Sequence, residues 1–269
     1  MSLRSAPGQG RLAATFERMR RDRSAGLVTY ITAGDPDLPR TAGILRALDR
    51  AGADVLEVGV PFSDPLADGP VIQRATERAL AAGTTLQGVL TLIEGIRADL
   101  RAPVVVFSYA NPILRLGAGA FADRAGDAGV DGVLVLDLPI EEAGDFRDMM
   151  ATRGIDTILL LSPTTTDVRL KRAADLGSGF LYVISRLGVT GVRDRLADGA
   201  QEMVQRIRRV SSLPVALGFG ISRPEHVRDV GQWADAAVVG SALVSVIAEA
   251  GASANLEARV EEYVRWLKS

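Results

Sequence analysis

The 269-residue chain has no cysteine. Neither a disulfide framework nor a thiolate metal site can form, and a thiol nucleophile is excluded. Histidine is nearly absent: His226 stands alone, so the chain cannot surround a zinc ion with imidazoles. Of 31 basic residues only Lys171 and Lys268 are lysines, the first on a predicted helix and the second beside the C-terminus. Schiff-base chemistry inside a fold core is thereby ruled out. Aromatics make up 5% of the chain and the formal net charge is −2, which offers polyanions neither stacking platforms nor attraction. No nucleic-acid partner is expected. Apolar runs stop short of the roughly 18 residues of a membrane span, and residues 1–5 lack the apolar core of a signal peptide. The expectation is a soluble cytoplasmic protein with no membrane partner.

What is present is an alternation. Apolar, β-branched runs at residues 27–34, 54–60, 104–109, 132–137, 157–161, 180–185, 215–218 and 236–239 read as strands, each followed by residues with helical spacing. Continuous apolar strands suit a parallel sheet buried on both faces. Eight such units in a chain of this length predict an α/β fold, a single (β/α)8 TIM barrel over residues 1–269, with a doubly wound open sheet as the alternative. An extra N-terminal helix over residues 8–22, with Leu12, Phe16 and Met19 on one stripe, is placed to close one end. Further helices are predicted at 41–51, 71–82 and 255–268, the last with Asn255 as N-cap.

The chemistry concentrates in Val55-Leu56-Glu57-Val58-Gly59-Val60-Pro61-Phe62-Ser63-Asp64-Pro65-Leu66-Ala67-Asp68-Gly69-Pro70. Glu57 interrupts a buried strand, where an ionised carboxylate is costly unless paired. The prolines and glycine after it force an irregular loop that carries Asp68, so two acids can face one small volume. Barrel sites lie at the C-terminal ends of strands. There the sequence places Tyr30 and Thr32, Glu57, Phe107 and Tyr109, Leu134 and Asp137, Tyr182 and Ser185, Phe219 and Gly220, and Gly240 and Ser241. Gly218-Phe219-Gly220, Gly240-Ser241 and Gly188-Val189-Thr190-Gly191 fall after strands six to eight, where backbone amides commonly hold a phosphate; ordinary turns are the alternative. Two long connections, 61–70 and 186–199, have the length of lids. Two acids and a phosphate cradle suit acid–base chemistry on a phosphorylated small molecule that supplies its own electron sink.

The run from Leu56 to Pro70 followed by Ile72-Gln73 resembles the signature of the tryptophan synthase α subunit family. Thr32-Ala33-Gly34-Asp35-Pro36, Tyr109-Ala110-Asn111-Pro112, Gly188-Val189-Thr190-Gly191 and Gly218-Phe219-Gly220-Ile221-Ser222 follow in family order. The resemblance covers essentially the whole chain. It implies cleavage of indole-3-glycerol phosphate to indole and glyceraldehyde 3-phosphate, with neither metal nor cofactor in this chain. It further implies that Glu57 transfers protons and that Asp68, remaining ionised, bonds the indole N–H. Tyr30, Ile72, Phe107, Leu134 and Phe219 would line the indole slot, with Tyr109 also contacting substrate. Tyr182 would lie near the glycerol phosphate, Gly191, Gly220, Gly240 and Ser241 would hold the phosphate, and Thr190 would meet Asp68. Pro61, Asp64, Asn111 and Pro139 match positions that face a pyridoxal-phosphate-dependent β subunit in an α2β2 complex. Leu187 and the Arg/Asp-rich stretch beyond Gly191 depart from the family pattern. A stand-alone lyase releasing free indole, and a barrel that mainly activates its partner, are the two other readings.

Overall fold

A computed structural model describes residues 10–184, 199–218 and 220–269. Eight parallel strands pair in sequence order and close into a barrel, β8 bonding back to β1. The strands are β1 (Gly26–Thr32), β2 (Val55–Gly59), β3 (Val104–Ser108), β4 (Gly132–Val135), β5 (Asp156–Leu161), β6 (Leu181–Ile184), β7 (Val215–Gly218) and β8 (Ala236–Val239). The open-sheet alternative is thus excluded. Several strands end one or two residues before the apolar run does: Tyr109 and Asp137 lie beyond β3 and β4, in the connections.

Around the barrel run α1 (Arg11–Asp22), α2 (Leu38–Arg50), α3 (Pro70–Ala81), α4 (Leu86–Ile96), α5 (Ala110–Leu116), α6 (Ala118–Asp127), α7 (Ala143–Thr152), α8 (Asp167–Leu176), α9 (Ala200–Arg208), α10 (Pro224–Gly231), α11 (Ser241–Ala250) and α12 (Leu256–Leu267). The simple alternation is therefore doubled after β2, β3 and β8, where two helices follow one strand. Of the extra helices, α3 and α11 pack on each other and on β1. Helix α2 begins three residues earlier than its apolar stripe because the Asp37 carboxylate accepts the Arg40 N–H and caps it. Asn255 does precede α12, but its side chain caps nothing; its Oδ1 accepts from the Ser253 hydroxyl instead.

Strand parity divides the core in two. Leu27, Ile31, Leu56 and Val58 point outward into the shell under the helices. Val28, Val55, Val105, Leu134, Ile158, Phe180, Ala216 and Ala236 point inward and fill the barrel together with Leu12, Phe16 and Met19 of α1. Phe16 and Phe180 stack with centroids 5.3 Å apart. Helix α1 plugs the end where strands begin: a Cβ on Gly26 would lie 2.3 Å from Met19 Sδ, and one on Gly132 would lie 2.9 Å from Leu12 Cδ1.

The same end carries a repeat every second strand. Just before β2, β4 and β8 stand Asp54, Asp131 and Asp235, and each accepts a backbone N–H from the start of the preceding strand: Leu27 at 3.0 Å, Val104 at 2.8 Å and Val215 at 2.7 Å. Each also meets a cation. Arg18 and Lys268 hold Asp54, Arg97 holds Asp131 and Arg208 holds Asp235. Ahead of β6 the role falls to a neutral hydroxyl, Ser178 Oγ, which accepts Thr157 N–H at 3.0 Å.

Candidate active site

At the opposite end Glu57 faces the barrel interior and is fully buried, and among the described residues neither of its carboxylate oxygens has a hydrogen-bond partner. β-Sheet geometry puts it there. Val55 and Glu57 share the inward face of β2, and the parallel register sets Glu57 beside Tyr30 of β1 and Val105 of β3. With no cation to compensate for lost water, burial raises its pKa to about 8. At neutral pH it holds a proton.

Asp68 is delivered from the side by the loop after β2, which is pinned by Tyr109. The Tyr109 hydroxyl donates to Asp68 Oδ2 at 3.3 Å and accepts the Ala67 N–H at 3.0 Å, while its ring lies against Phe62, centroids 5.1 Å apart. Gln73 Nε2 donates to the Asp68 carbonyl at 2.9 Å. Partial burial raises the Asp68 carboxyl to about 6, with the Tyr109 hydrogen bond acting in the opposite direction. At pH 7 Asp68 is mostly ionised, so the two acids stand in opposite protonation states.

Both acids act on Tyr30, which anchors an apolar cluster. Tyr30 and Phe107 meet edge to face at 5.1 Å and 72°, and Ile72, Val71, Ala75 and Val244 pack on that pair from α3 and α11. Leu134, Leu136, Leu160 and Tyr182 continue the wall inside the barrel. Two glycines make room for the phenols. A Cβ at Gly59 would lie 2.3 Å from Tyr30 Oη, and one at Gly218 would lie 2.4 Å from Tyr182 Oη. Burial pushes the pKa of both phenols upward and keeps them neutral.

Beyond β7 and β8 the backbone is open. Gly220 has a left-handed φ of 73° with nothing within 4 Å of a notional Cβ. Helix α11 starts at Ser241 behind Gly240, which supplies no side-chain cap, so its first-turn amides are free to receive an anion. Among the described residues no three acidic or imidazole side chains are arranged for a metal ion. Lys171 pairs with Asp175 on α8 and Lys268 serves Asp54 at the plugged end, so neither enters the site.

The structure therefore brings together Glu57, Asp68, Tyr30, Ile72, Phe107, Tyr109, Leu134 and Tyr182, with Gly220, Gly240 and Ser241 in the connections after β7 and β8. Thr190, Gly191 and Phe219, like Ser185 and Leu187, fall outside the described residues. Within the described residues the side chain that meets Asp68 is Tyr109. Leu160, Ala75 and Val244 were missed. Inward parity with Ile158 marks Leu160; nothing in the sequence marks the other two, which depend on how α3 and α11 fold over β1. Asp64 and Pro139 are exposed on loops and Asn111 is exposed in the first turn of α5, but Pro61 is buried and presents little surface.

A closed eight-stranded barrel that carries two carboxylates with raised pKa values beside an apolar cluster, and a helix start after β8, has the layout of an acid–base enzyme for a small molecule. Sequence comparison narrows this. Residues 16–269 match the family model for the tryptophan synthase alpha chain. The chain is 45% identical over 258 residues to the tryptophan synthase alpha chain of Solibacter usitatus, covering 96% of this chain and 97% of that one. Its fold matches Mycobacterium tuberculosis tryptophan synthase with a TM-score of 0.88 at 36% identity, covering 96% of each chain. It matches a chain of the Pyrococcus furiosus tryptophan synthase complex with a TM-score of 0.83 at 38% identity, covering 90% of this chain and 97% of that one. The protein belongs to the tryptophan synthase alpha chain family, lyases that cleave indole-3-glycerol phosphate and work with a β subunit, which holds the pyridoxal phosphate.

Proposed function

We propose that this chain, acting as one domain, splits indole-3-glycerol phosphate with Glu57 as proton-transfer group and Asp68 as the fixed counter-charge. The observation that carries the assignment is the buried, unpartnered Glu57, which holds its proton at neutral pH, opposite an Asp68 that does not. Glu57 donates its proton to C3 of the indole ring. Positive charge then spreads to the ring nitrogen, where the Asp68 carboxylate accepts the N–H and stabilises it. The bond between C3 and the glycerol carbon breaks, its electrons return to the ring, and the hydroxyl proton of that carbon passes to the Glu57 carboxylate. Indole and glyceraldehyde 3-phosphate result, with Glu57 protonated as at the start.

The slot of Tyr30, Ile72, Phe107 and Leu134 takes the indole, Phe219 joining it by resemblance. Tyr109 holds Asp68 in place, Tyr182 faces the glycerol chain, and Gly220, Gly240 and Ser241 receive the phosphate with Gly191; Thr190 closes on Asp68. The β subunit docks over Asp64, Pro139 and the Asn111 end of α5, in an α2β2 complex in the cytoplasm. Leu66 on the loop after β2 and Leu114 on α5, 91% and 66% exposed, supply apolar area for that contact. Steady-state cleavage by the purified chain, with and without a β subunit, tests the proposal. Weak activity that rises strongly on adding the partner is expected. Fast turnover indifferent to the partner would identify a free-indole lyase, and no cleavage in either condition would refute the substrate.

A further inference from the structure

Lining an apolar slot requires the ring of Tyr30 but not its hydroxyl. A phenylalanine would serve, and a buried hydroxyl without a good partner costs free energy. Among the described residues its hydrogen bond runs to Thr32 Oγ1 at 3.5 Å, a long contact in which either group can donate. The register places the hydroxyl with some care. Tyr30 sits opposite Glu57 and Thr32 opposite Gly59, so the phenol reaches from β1 across β2 and ends over Gly59, two positions beyond Glu57 on the same inward face. Only a glycine at 59 leaves that space, and Phe107 fixes the ring edge-on from the other side.

The electrostatic setting matches the geometry. Both Glu57 and Asp68 act on the Tyr30 phenol; among the described residues the other titratable groups here are Tyr182 on β6 and Tyr109 after β3, and no cation acts on Glu57. In the reaction proposed above Glu57 becomes a carboxylate for part of each turnover, with no hydrogen-bond donor on either oxygen among the described residues. A dipole able to reorient beside it would lower the free energy of that charged state.

We propose that Tyr30 is a positioning residue for proton transfer. Its hydroxyl donates to Thr32 while Glu57 is protonated; when Glu57 releases its proton, Thr32 donates to Tyr30 and the phenolic hydrogen turns towards the carboxylate. The heavy atoms keep their places, and only two hydroxyl hydrogens rotate. This inference rests on the reading of Glu57 as the proton donor.

Tyr30→Phe keeps the ring and removes the dipole. Its KM should stay within about twofold while kcat falls roughly 3–10-fold, since the lost dipole acts on a buried charge with an effect no larger than one neutral hydrogen bond. The alkaline limb of kcat/KM should move up by about half to one pH unit, because ionised Glu57 loses support. Thr32→Val should shift the limb less, and should add nothing in the Tyr30→Phe background, since Thr32 acts only through Tyr30. A carboxyl 13C titration of Glu57 in Tyr30→Phe gives the same information without turnover. An unmoved Glu57 midpoint and alkaline limb would overturn the proposal, as would full additivity of the two substitutions. Retention of wild-type activity by Glu57→Gln would instead overturn the reading of Glu57 itself.

Discussion

The two ends of the barrel treat carboxylates in opposite ways. Where the strands begin, Asp54, Asp131 and Asp235 each accept a backbone N–H and meet an arginine, and α1 seals the interior with Leu12, Phe16 and Met19. Where the strands end, Glu57 has no hydrogen-bond partner among the described residues, Asp68 takes a long bond from a tyrosine, and α11 begins without a side-chain cap. At one end these carboxylates are paired and at the other they are not, which is how stability and function are separated on this fold. Polar groups that are already paired hold the barrel shut. Groups that lack partners are the ones a substrate can complete.

Substitutions sharpen that contrast, and the largest effect belongs to Glu57. Glu57→Gln should lower kcat by about three orders of magnitude, within the usual range for loss of a general acid–base. It should also stabilise the fold. Because the folded pKa of Glu57 lies above its ordinary value, the folded protein binds the extra proton between about pH 4.5 and about pH 8, and wild-type stability falls across that window. The variant escapes this fall. Its advantage should be absent below pH 4.5 and reach about 3–5 kcal/mol near pH 8, read by urea unfolding at a series of pH values.

Asp68→Asn comes next, with an expected loss of roughly 10²–10³ in kcat from removing a fixed counter-charge. In the wild type, kcat/KM should be bell-shaped, with an acid limb near 6 from Asp68 and an alkaline limb near 8 from Glu57. The acid limb should vanish in Asp68→Asn.

At the other end the pattern should invert. Asp131→Ala leaves Arg97 and the Val104 N–H without their partner and should cost about 3–5 kcal/mol of stability, with kcat unchanged at temperatures where the variant is folded. Ser178→Ala removes the neutral version of the same contact and should cost only about 1 kcal/mol, again without touching kcat. A stability loss from Ser178→Ala as large as that from Asp131→Ala would show that the ion pairs contribute nothing beyond the backbone bond.

Much of this was legible in the residues. Strand parity, the plugging stripe of α1 and the anomaly of Glu57 all follow from local pattern, because a carboxylate inside a β-branched run has few structural uses. The long connection through Pro61 and Asp68 announced an irregular loop for the same reason. The sequence was silent where two distant segments have to meet. Arg97 and Asp131 are 34 residues apart, and their pairing depends on the barrel closing. The Tyr109 bond to Asp68 depends on a loop path that composition does not determine. The extra helices share the amphipathic spacing of the others, so only the structure separates α3 and α11, folded over β1, from the ring around the barrel. Pro61 matches an interface position by motif, yet the turn it starts buries it.

Two carboxylates at one end of the barrel stand in opposite protonation states at neutral pH. The most direct test is a carboxyl 13C titration of the folded chain, following Glu57 and Asp68 together from about pH 4 to about pH 9. Midpoints near 8 for Glu57 and near 6 for Asp68 are predicted. A Glu57 midpoint close to the ordinary 4.5 would mean that it is already ionised at neutral pH, and would contradict its assignment as the proton donor.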